Sequence, residues 1–360
     1  MKLIAQVKLT TTPEESRALL QTMEQANGAC NALAAWAWEN KVFGQYAMHR
    51  ERYSAVRSEG NLAAQVVVRC IGKVADAYKV YHRTRREFRP HSAIAYDDRI
   101  LRWYVDRRNV SIWSVAGRLT LPFSCGEPQR EYLRSRQGET DLVYQNGEWF
   151  LLATCDAEEP PVAMPVGVLG VDLGIVQVAT DSLGNQYTGE PVNACRKRMK
   201  KLRAGLQSCG TKAARKHLRK ARRKQSRYVR WVNHNISKQI VQTACLNSKA
   251  IALEALTGIR ERASASKELR WLLGNWAFDQ LRQFVAYKAR RAGVPAVYVE
   301  ARNTSRSCSA CGYCDKANRR SQTQFKCLRC GFCANADVNA AVNIEARAKS
   351  VSWPMLSALA

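Results

Sequence analysis

The chain has 360 residues, 46% of them hydrophobic, which is material for two or three domains with cores of their own. Fifty-seven basic residues against thirty acidic ones leave a net charge of +27, a surplus that favours a polyanion because each neutralised phosphate releases condensed counterions. The basic residues do not alternate with an apolar face rich in Trp or Phe, no apolar run approaches the ~18 to 20 residues of a membrane span, and no signal peptide opens the chain, so a membrane partner is excluded and a cytosolic protein is expected.

Residues 2–9 partly alternate and read as a strand. Thr12-Pro13-Glu14-Glu15 then offers an N-cap, a proline at the first helical position and a glutamate three residues after the cap. From there to about Phe88 the pattern is helical, with a polar break at residues 58–61, and predicts a pair or trio of helices. Between His91 and Asp156 the character changes to strands. Residues 111–122 are β-rich, and Asn146-Gly147 is a hairpin signal within residues 142–152. The first strand is expected to join these later ones in a barrel, with the helices inserted. Proline-rich residues 158–165 read as a linker and the main boundary.

Beyond the linker, residues 166–180 predict an apolar strand carrying one acid, Asp172, then a glycine-containing turn and a second strand. Residues 196–230 hold sixteen Lys or Arg and no acid. Their composition is helical, interrupted at Ser208-Cys209-Gly210, and predicts a basic helical hairpin. Like charges crowded on one hairpin repel unless an anion relieves them. This marks Arg196, Lys197, Arg198, Lys200, Lys201, Arg203, Lys216, Arg219, Lys220, Arg222, Arg223, Lys224 and Arg227 as candidate nucleic-acid contacts. A strand over 249–254, a helix over 275–292 that includes Trp276, a strand over 294–300 and a helix over 337–347 complete the reading.

Thirteen cysteines are present, and six of them fall between 308 and 333. The others (Cys30, Cys70, Cys125, Cys155, Cys195, Cys209 and Cys245) are scattered singly and read as small core residues rather than a disulfide framework. Cys308-Ser-Ala-Cys311-Gly312 and Cys327-Leu-Arg-Cys330-Gly331 are two knuckles with fifteen residues between them. Two such pairs make the tetrahedral sulfur site that structural zinc prefers. Cys314 and Cys333 extend both knuckles by a further cysteine. Cys308, Cys311, Cys327 and Cys330 are taken as the ligands because only those pairs are followed directly by glycine.

Three acids stand in unusual settings. Asp172 lies in an apolar strand, where an ionised side chain is costly unless paired or metal-bound. Glu254 ends a second apolar strand, Ile-Ala-Leu-Glu. Asp337 begins the helix that follows the knuckles. Carboxylates converging from distant parts of a chain are what a pair of magnesium ions needs to hydrolyse a phosphodiester, the ions lying ~3.5 to 4 Å apart.

Gly170-Val-Asp172-Leu-Gly174-Ile, Ala252-Leu-Glu254, Thr304-Ser-Arg-Ser-Cys308-Ser-Ala-Cys311-Gly, Phe325-Lys-Cys327-Leu-Arg-Cys330-Gly and Asp337-Val-Asn-Ala-Ala-Val-Asn-Ile resemble the TnpB (OrfB) family, RNA-guided endonucleases of bacterial insertion sequences related to the type V CRISPR effectors. The likeness is strong over 166–344 and looser before that. Family members often carry Arg before the last acid, where this chain has Ala336. The resemblance implies an α+β multidomain fold: a wedge-like β-barrel (1–10 and 91–160), an inserted helical recognition lobe (11–90), an RNase H-like RuvC domain (161–302 and 334–350) and a zinc ribbon (303–333). It implies a single RuvC site in which Asp172, Glu254 and Asp337 bind magnesium and cut DNA, one structural zinc, a guide RNA, a double-stranded DNA target unwound to an RNA–DNA heteroduplex, and a place in the bacterial or archaeal cytoplasm near the nucleoid. The rival readings are a nuclease-inactive RNA-guided repressor, which loss of an acid would signal, a transposase with the same core, and a plain zinc-ribbon binding protein, which leaves Asp172 unexplained.

Overall fold

The computed structural model describes residues 1–255, 278–321 and 323–349. Two compact units divide at the expected linker, Met1–Glu158 and Glu159–Ala360.

In the first unit, strand β1 (Lys2–Leu9) is followed by helices α1 (Pro13–Asn40), α2 (Gln45–Glu59) and α3 (Ala64–Val80). The capping box forms as the sequence predicts: Glu15 N–H donates to Thr12 Oγ1 at 3.2 Å, and Thr12 N–H donates to Glu15 Oε2 at 2.8 Å. The helical stretch ends at Val80, eight residues before the expected Phe88. The arginine-rich loop beyond it is pinned to α1 instead. Asn31 donates to Phe88 O and accepts from its N–H, and Asn27 donates to Pro90 O and Ser92 O.

Six more strands follow, β2 (Ile94–Tyr96), β3 (Leu101–Tyr104), β4 (Asn109–Ser114), β5 (Gly117–Ser124), β6 (Arg136–Gln145) and β7 (Glu148–Asp156), with an unforeseen short helix α4 (Glu127–Arg134). Residues 111–122, read as one β-rich stretch, form most of the β4–β5 hairpin. β1 pairs with β5 and β7, giving the order β2-β6-β7-β1-β5-β4-β3. The two edge strands are sequence neighbours, and the Tyr96 hydroxyl of β2 donates to Trp113 O of β4, so the sheet nearly closes. The inserted helices share its core through Leu19, Met23, Leu33 and Ile71.

The second unit holds a five-stranded sheet ordered β10-β9-β8-β11-β12. Its strands are β8 (Gly167–Asp172), β9 (Gln177–Asp181), β10 (Gln186–Thr188), β11 (Lys249–Ala255) and β12 (Ala296–Glu300). β8, β11 and β12 run parallel, while β9 and β10 are antiparallel additions at one edge. The basic hairpin folds as read, helix α5 (Glu190–Cys209) turning at Gly210 into α6 (Lys212–Leu246). Helix α7 is described from Phe278 to Arg291; residues 275–277 of the expected helix, Trp276 among them, lie outside the described residues. Helix α8 (Ala336–Lys349) is the last element among the described residues.

Parallel strands buried on both faces read as near-continuous apolar runs, and β8 and β11 do. Alternation sorts them: Leu169, Val171, Ile251 and Leu253 pack with Ile236 and Ile240 of α6 and Leu281 and Val285 of α7. Val168 and Ala252 face the other way, onto Ile344 and Ala348 of α8. Among the described residues, no helix is long and apolar enough to cross a membrane.

Candidate functional site

The β8–β11 ladder places Leu253 beside Val171. Asp172 and Glu254 are the next residues of two parallel neighbours, so they stand side by side at the ends of β8 and β11. The period-two alternation puts both on the α8 face, above Gly170 and Ala252. α8 supplies Asp337 in its first turn, with Asn335 as its cap: Asn335 Oδ1 accepts from Asp337 N–H at 2.9 Å and from Val338 N–H at 3.2 Å. Gly170 allows the helix this close to the strand. A Cβ there would lie 2.1 Å from Ala341 O and 2.6 Å from Glu345 N, both of α8's backbone.

The three acids are gathered but not collapsed: unlike four sulfurs nearby, their oxygens do not all close to within 4.8 Å of one another. Glu254 and Asp337 are buried, and Asp172 keeps some solvent contact at the strand end. The protein mass around its carboxyl still drives the Asp172 pKa well above the usual range, and the Glu254 and Asp337 charges add to this while Arg319 opposes it. Burial raises Glu254, against the hydrogen bond from Thr304 and the charge of Arg347. Burial also raises Asp337, against Arg319.

Thr304 and Arg319 went unread in the sequence. Buried Thr304 donates from Oγ1 to Glu254 Oε1 at 2.5 Å, and Arg319 donates from NH2 to Asp337 Oδ1 at 2.8 Å. Thr304 opens a stretch singled out only for its cysteines; Arg319, between the knuckles, gave no signal. Where the resemblance leads one to expect Arg before the last acid, Ala336 is fully buried with Phe325, Cys308 and Cys327, and the guanidinium comes from the ribbon instead. Thr180 was missed as well. It pairs directly across the ladder from Asp172, is 1% exposed, and its hydroxyl has no hydrogen-bond partner among the described residues. Hard carboxylate oxygens beside an orphaned buried hydroxyl suit a hydrated magnesium ion, which keeps several of its waters.

The sulfurs of Cys308, Cys311, Cys327 and Cys330 all lie within 4.8 Å of one another. Cys308 and Cys330 sulfurs are 3.7 Å apart, and those of Cys311 and Cys327 3.6 Å. Zn–S bonds of about 2.3 Å in a tetrahedron imply edges of about 3.8 Å, so the cluster fits zinc. Gly312 and Gly331 take φ of 73° and 74°, and their N–H groups close the knuckles onto Cys308 O and Cys327 O. Burial works against a Cys327 thiolate, but backbone N–H groups of Cys330 and Arg329 and neighbouring thiols bring its pKa down to about 6. Cys314 and Cys333 are exposed and outside the cluster.

The ribbon is bolted to the helix that carries Asp337. Asn339 Nδ2 donates to Ser307 O at 2.8 Å, and its Oδ1 accepts from Ser309 N–H, inside the first knuckle, at 3.0 Å. One turn on, Asn343 donates to Thr304 O and Ser307 O, both at 2.8 Å.

Of the candidate nucleic-acid contacts, Lys197, Arg198, Lys200, Lys201, Lys216, Arg219, Lys220, Arg222, Arg223, Lys224 and Arg227 are exposed. Arg203 is half-buried and donates to Gln225 Oε1. Arg196 departs from the reading: it is 3% exposed, donates to Asn193 Oδ1, and burial holds its pKa below the usual value.

Residues 152–255 match a family model described as a probable transposase, and residues 278–344 match one described as Cas12f1-like, TNB domain. The similarity is to these families over those stretches. It is 32% identical over 218 residues to the CRISPR-associated endodeoxyribonuclease Cas12f1 of Sulfoacidibacillus thermotolerans, covering 56% of this chain and 50% of that one. It is 30% identical over 225 residues to the putative RNA-guided DNA endonuclease InsQ of Escherichia coli K12, covering 57% and 55%. A solved chain from a Cas12f1-sgRNA-target DNA complex aligns over 96% of this chain and 99% of its own length, at 15% identity and a TM-score of 0.42. The chain spans about half the length of the curated relatives it matches.

Proposed function

We propose that this chain is an RNA-guided DNA endonuclease that hydrolyses DNA phosphodiesters in a single RuvC site. The observation that carries the reading is the meeting of Asp172, Glu254 and Asp337, from three distant parts of the sequence, where a parallel sheet and helix α8 converge. The order β10-β9-β8-β11-β12 followed by α8 is that of an RNase H-like core. The similarity to proteins named RNA-guided endonucleases supports the guide and target assignments.

The domain assignment follows the same reading. The nearly closed sheet with its inserted helices forms the wedge (1–10 and 91–160) and recognition lobe (11–90). The second unit forms the RuvC domain (161–302 and 334–350) around the ribbon (303–333). Magnesium bound by the three acids would supply an activated water and charge at the leaving oxygen. Thr304 orients the Glu254 carboxylate and Arg319 pairs with Asp337; magnesium, when bound, would add positive charge beside the same acids. The exposed residues of α5 and α6 take the phosphates of guide or heteroduplex, base pairing carrying sequence discrimination as in other RNA-guided effectors.

The test is to purify the protein with its co-expressed RNA, sequence that RNA, and assay magnesium-dependent cutting of matched DNA beside Asp172→Ala. The variant is expected to lose at least about a hundredfold in rate, the equivalent of the several kcal/mol that a bound metal ion contributes to the transition state. Cutting without RNA, or undiminished cutting by the variant, refutes the proposal. RNA-directed binding without cutting points to the repressor.

A further inference from the structure

The outer face of α6 carries a feature that phosphate neutralisation alone does not require. Lys216, Lys220, Lys224, Arg227 and Lys238 recur at helical spacing, all exposed. At 1.5 Å per residue they line about 33 Å of one face. None of the five makes an ion pair among the described residues. Uncompensated like charges at this spacing weaken a helix, so the stripe is built for a polyanion. In its middle, four residues after Arg227, stands Trp231, 61% exposed. Its ring stacks on Tyr228, centroids 6.1 Å apart and planes 22° from parallel. The buried faces of α6 are occupied: Gln225 accepts from Arg203 of α5, and Ile236, Ile240 and Ala244 pack toward the sheet.

An indole left in water amid cations is poorly suited to an apolar protein pocket, which the surrounding charges would have to enter as well. It suits an aromatic base whose phosphates those charges hold; base–aromatic stacking is the usual way single strands are gripped without sequence preference. We infer that this face of α6 binds a single strand of nucleic acid, with an unpaired base stacked on Trp231 and its flanking phosphates on the lysine–arginine stripe. The inference deepens the proposed function by assigning an unpaired stretch to this face, and it concerns binding alone.

It is tested by photocrosslinking the full-length Asp172→Ala protein, which separates binding from cutting, to single-stranded DNA and RNA oligomers and to the matching duplex, each carrying 5-iodouracil, with mass spectrometry of the adduct. Adducts on Trp231 or Tyr228 with single strands and not with duplex are expected, and the DNA and RNA arms distinguish the two sources of the strand. Salt-dependent affinities accompany this. Trp231→Ala is expected to weaken single-strand binding about 5- to 150-fold at an unchanged salt slope, and Trp231→Phe to restore most of it. Lys220→Gln with Lys224→Gln should instead lower the slope by about 1.4. Adducts confined to other elements, or Trp231→Leu binding as well as Trp231→Phe, would overturn the inference; the second outcome would mark a docking site for an apolar protein surface. Loss of RNA-guided cutting elsewhere in the chain touches neither readout.

Discussion

The thiolate cluster closes between residues 308 and 330, its four sulfurs already at the spacing a zinc ion sets. The carboxylate cluster draws on residues 172, 254 and 337 and stays open, with Arg319 paired to Asp337 at its rim. The difference follows from what each cluster is for. A closed site spends its ligands on holding two knuckles together; an open one leaves room for water and a reacting phosphate. Yet the two are not independent. Phe325, Cys308, Cys327 and Ala336 share one small core at the root of α8, so the ribbon's packing is also the first turn that holds Asp337.

The largest effect is expected from disturbing the sheet under the open cluster. Gly170→Ala would drive a methyl group into the backbone of α8, 2.1 Å from Ala341 O, and backbone cannot swing aside as a side chain does. The helix must shift, carrying Asp337 away from Asp172 and Glu254. Cutting should fall by more than about a hundredfold, consistent with the cost of misplacing a reacting group by ~1 Å, and stability by about 1 to 3 kcal/mol. Zinc content should hold, because all four thiolates lie within residues 308–330 and can move with α8 as one body. Cleavage assays, thermal melts and metal analysis on one preparation measure all three, and wild-type cutting would show that α8 does not set the site.

Next in size is removal of a ligand from the closed cluster. Cys308→Ser should release zinc and lower cutting by tens of fold, since Ser309 and the 304–307 loop then lose the knuckle that presents them to Asn339 and Asn343. Cys314→Ser and Cys333→Ser should keep full zinc and full cutting, both residues being exposed and outside the cluster. A Cys308→Ser protein that kept zinc would put the wrong four cysteines in the site.

How much of this could be read in the chain divides along the same line. The four clustered cysteines were legible because their spacing is local and glycine marks each turn, and the capping box, the Asn146-Gly147 hairpin and the basic hairpin were legible for the same reason. The acids could be picked out by their apolar settings, but their meeting rests on the strand register, which no local pattern encodes. Thr180, Thr304 and Arg319 were invisible: a threonine opposite an acid and an arginine in a loop look like any others until the chain is folded. Arg196 failed in the opposite sense. It belongs to a charge run, yet the turn of α5 that bears it faces inward, and composition cannot tell which face of a helix is buried.

The mildest variant addresses the join itself. Asn339→Ala removes the donor to Ser307 O and the acceptor for Ser309 N–H while leaving all four thiolates and all three acids in the chain. Asn339 is 1% exposed, so the abandoned Ser309 N–H is not easily rehydrated, while Ser307 O keeps its bond from Asn343, and a loss of about 1 to 3 kcal/mol in docking is expected. Zinc should stay bound, and cutting should fall about tenfold, in keeping with that free energy. Asn339→Asp keeps the acceptor and loses the donor, so it should fall between Asn339→Ala and wild type. If instead both variants cut like wild type, α8 is held by the sheet alone, and the thiolate centre stabilises the ribbon without setting the position of Asp337.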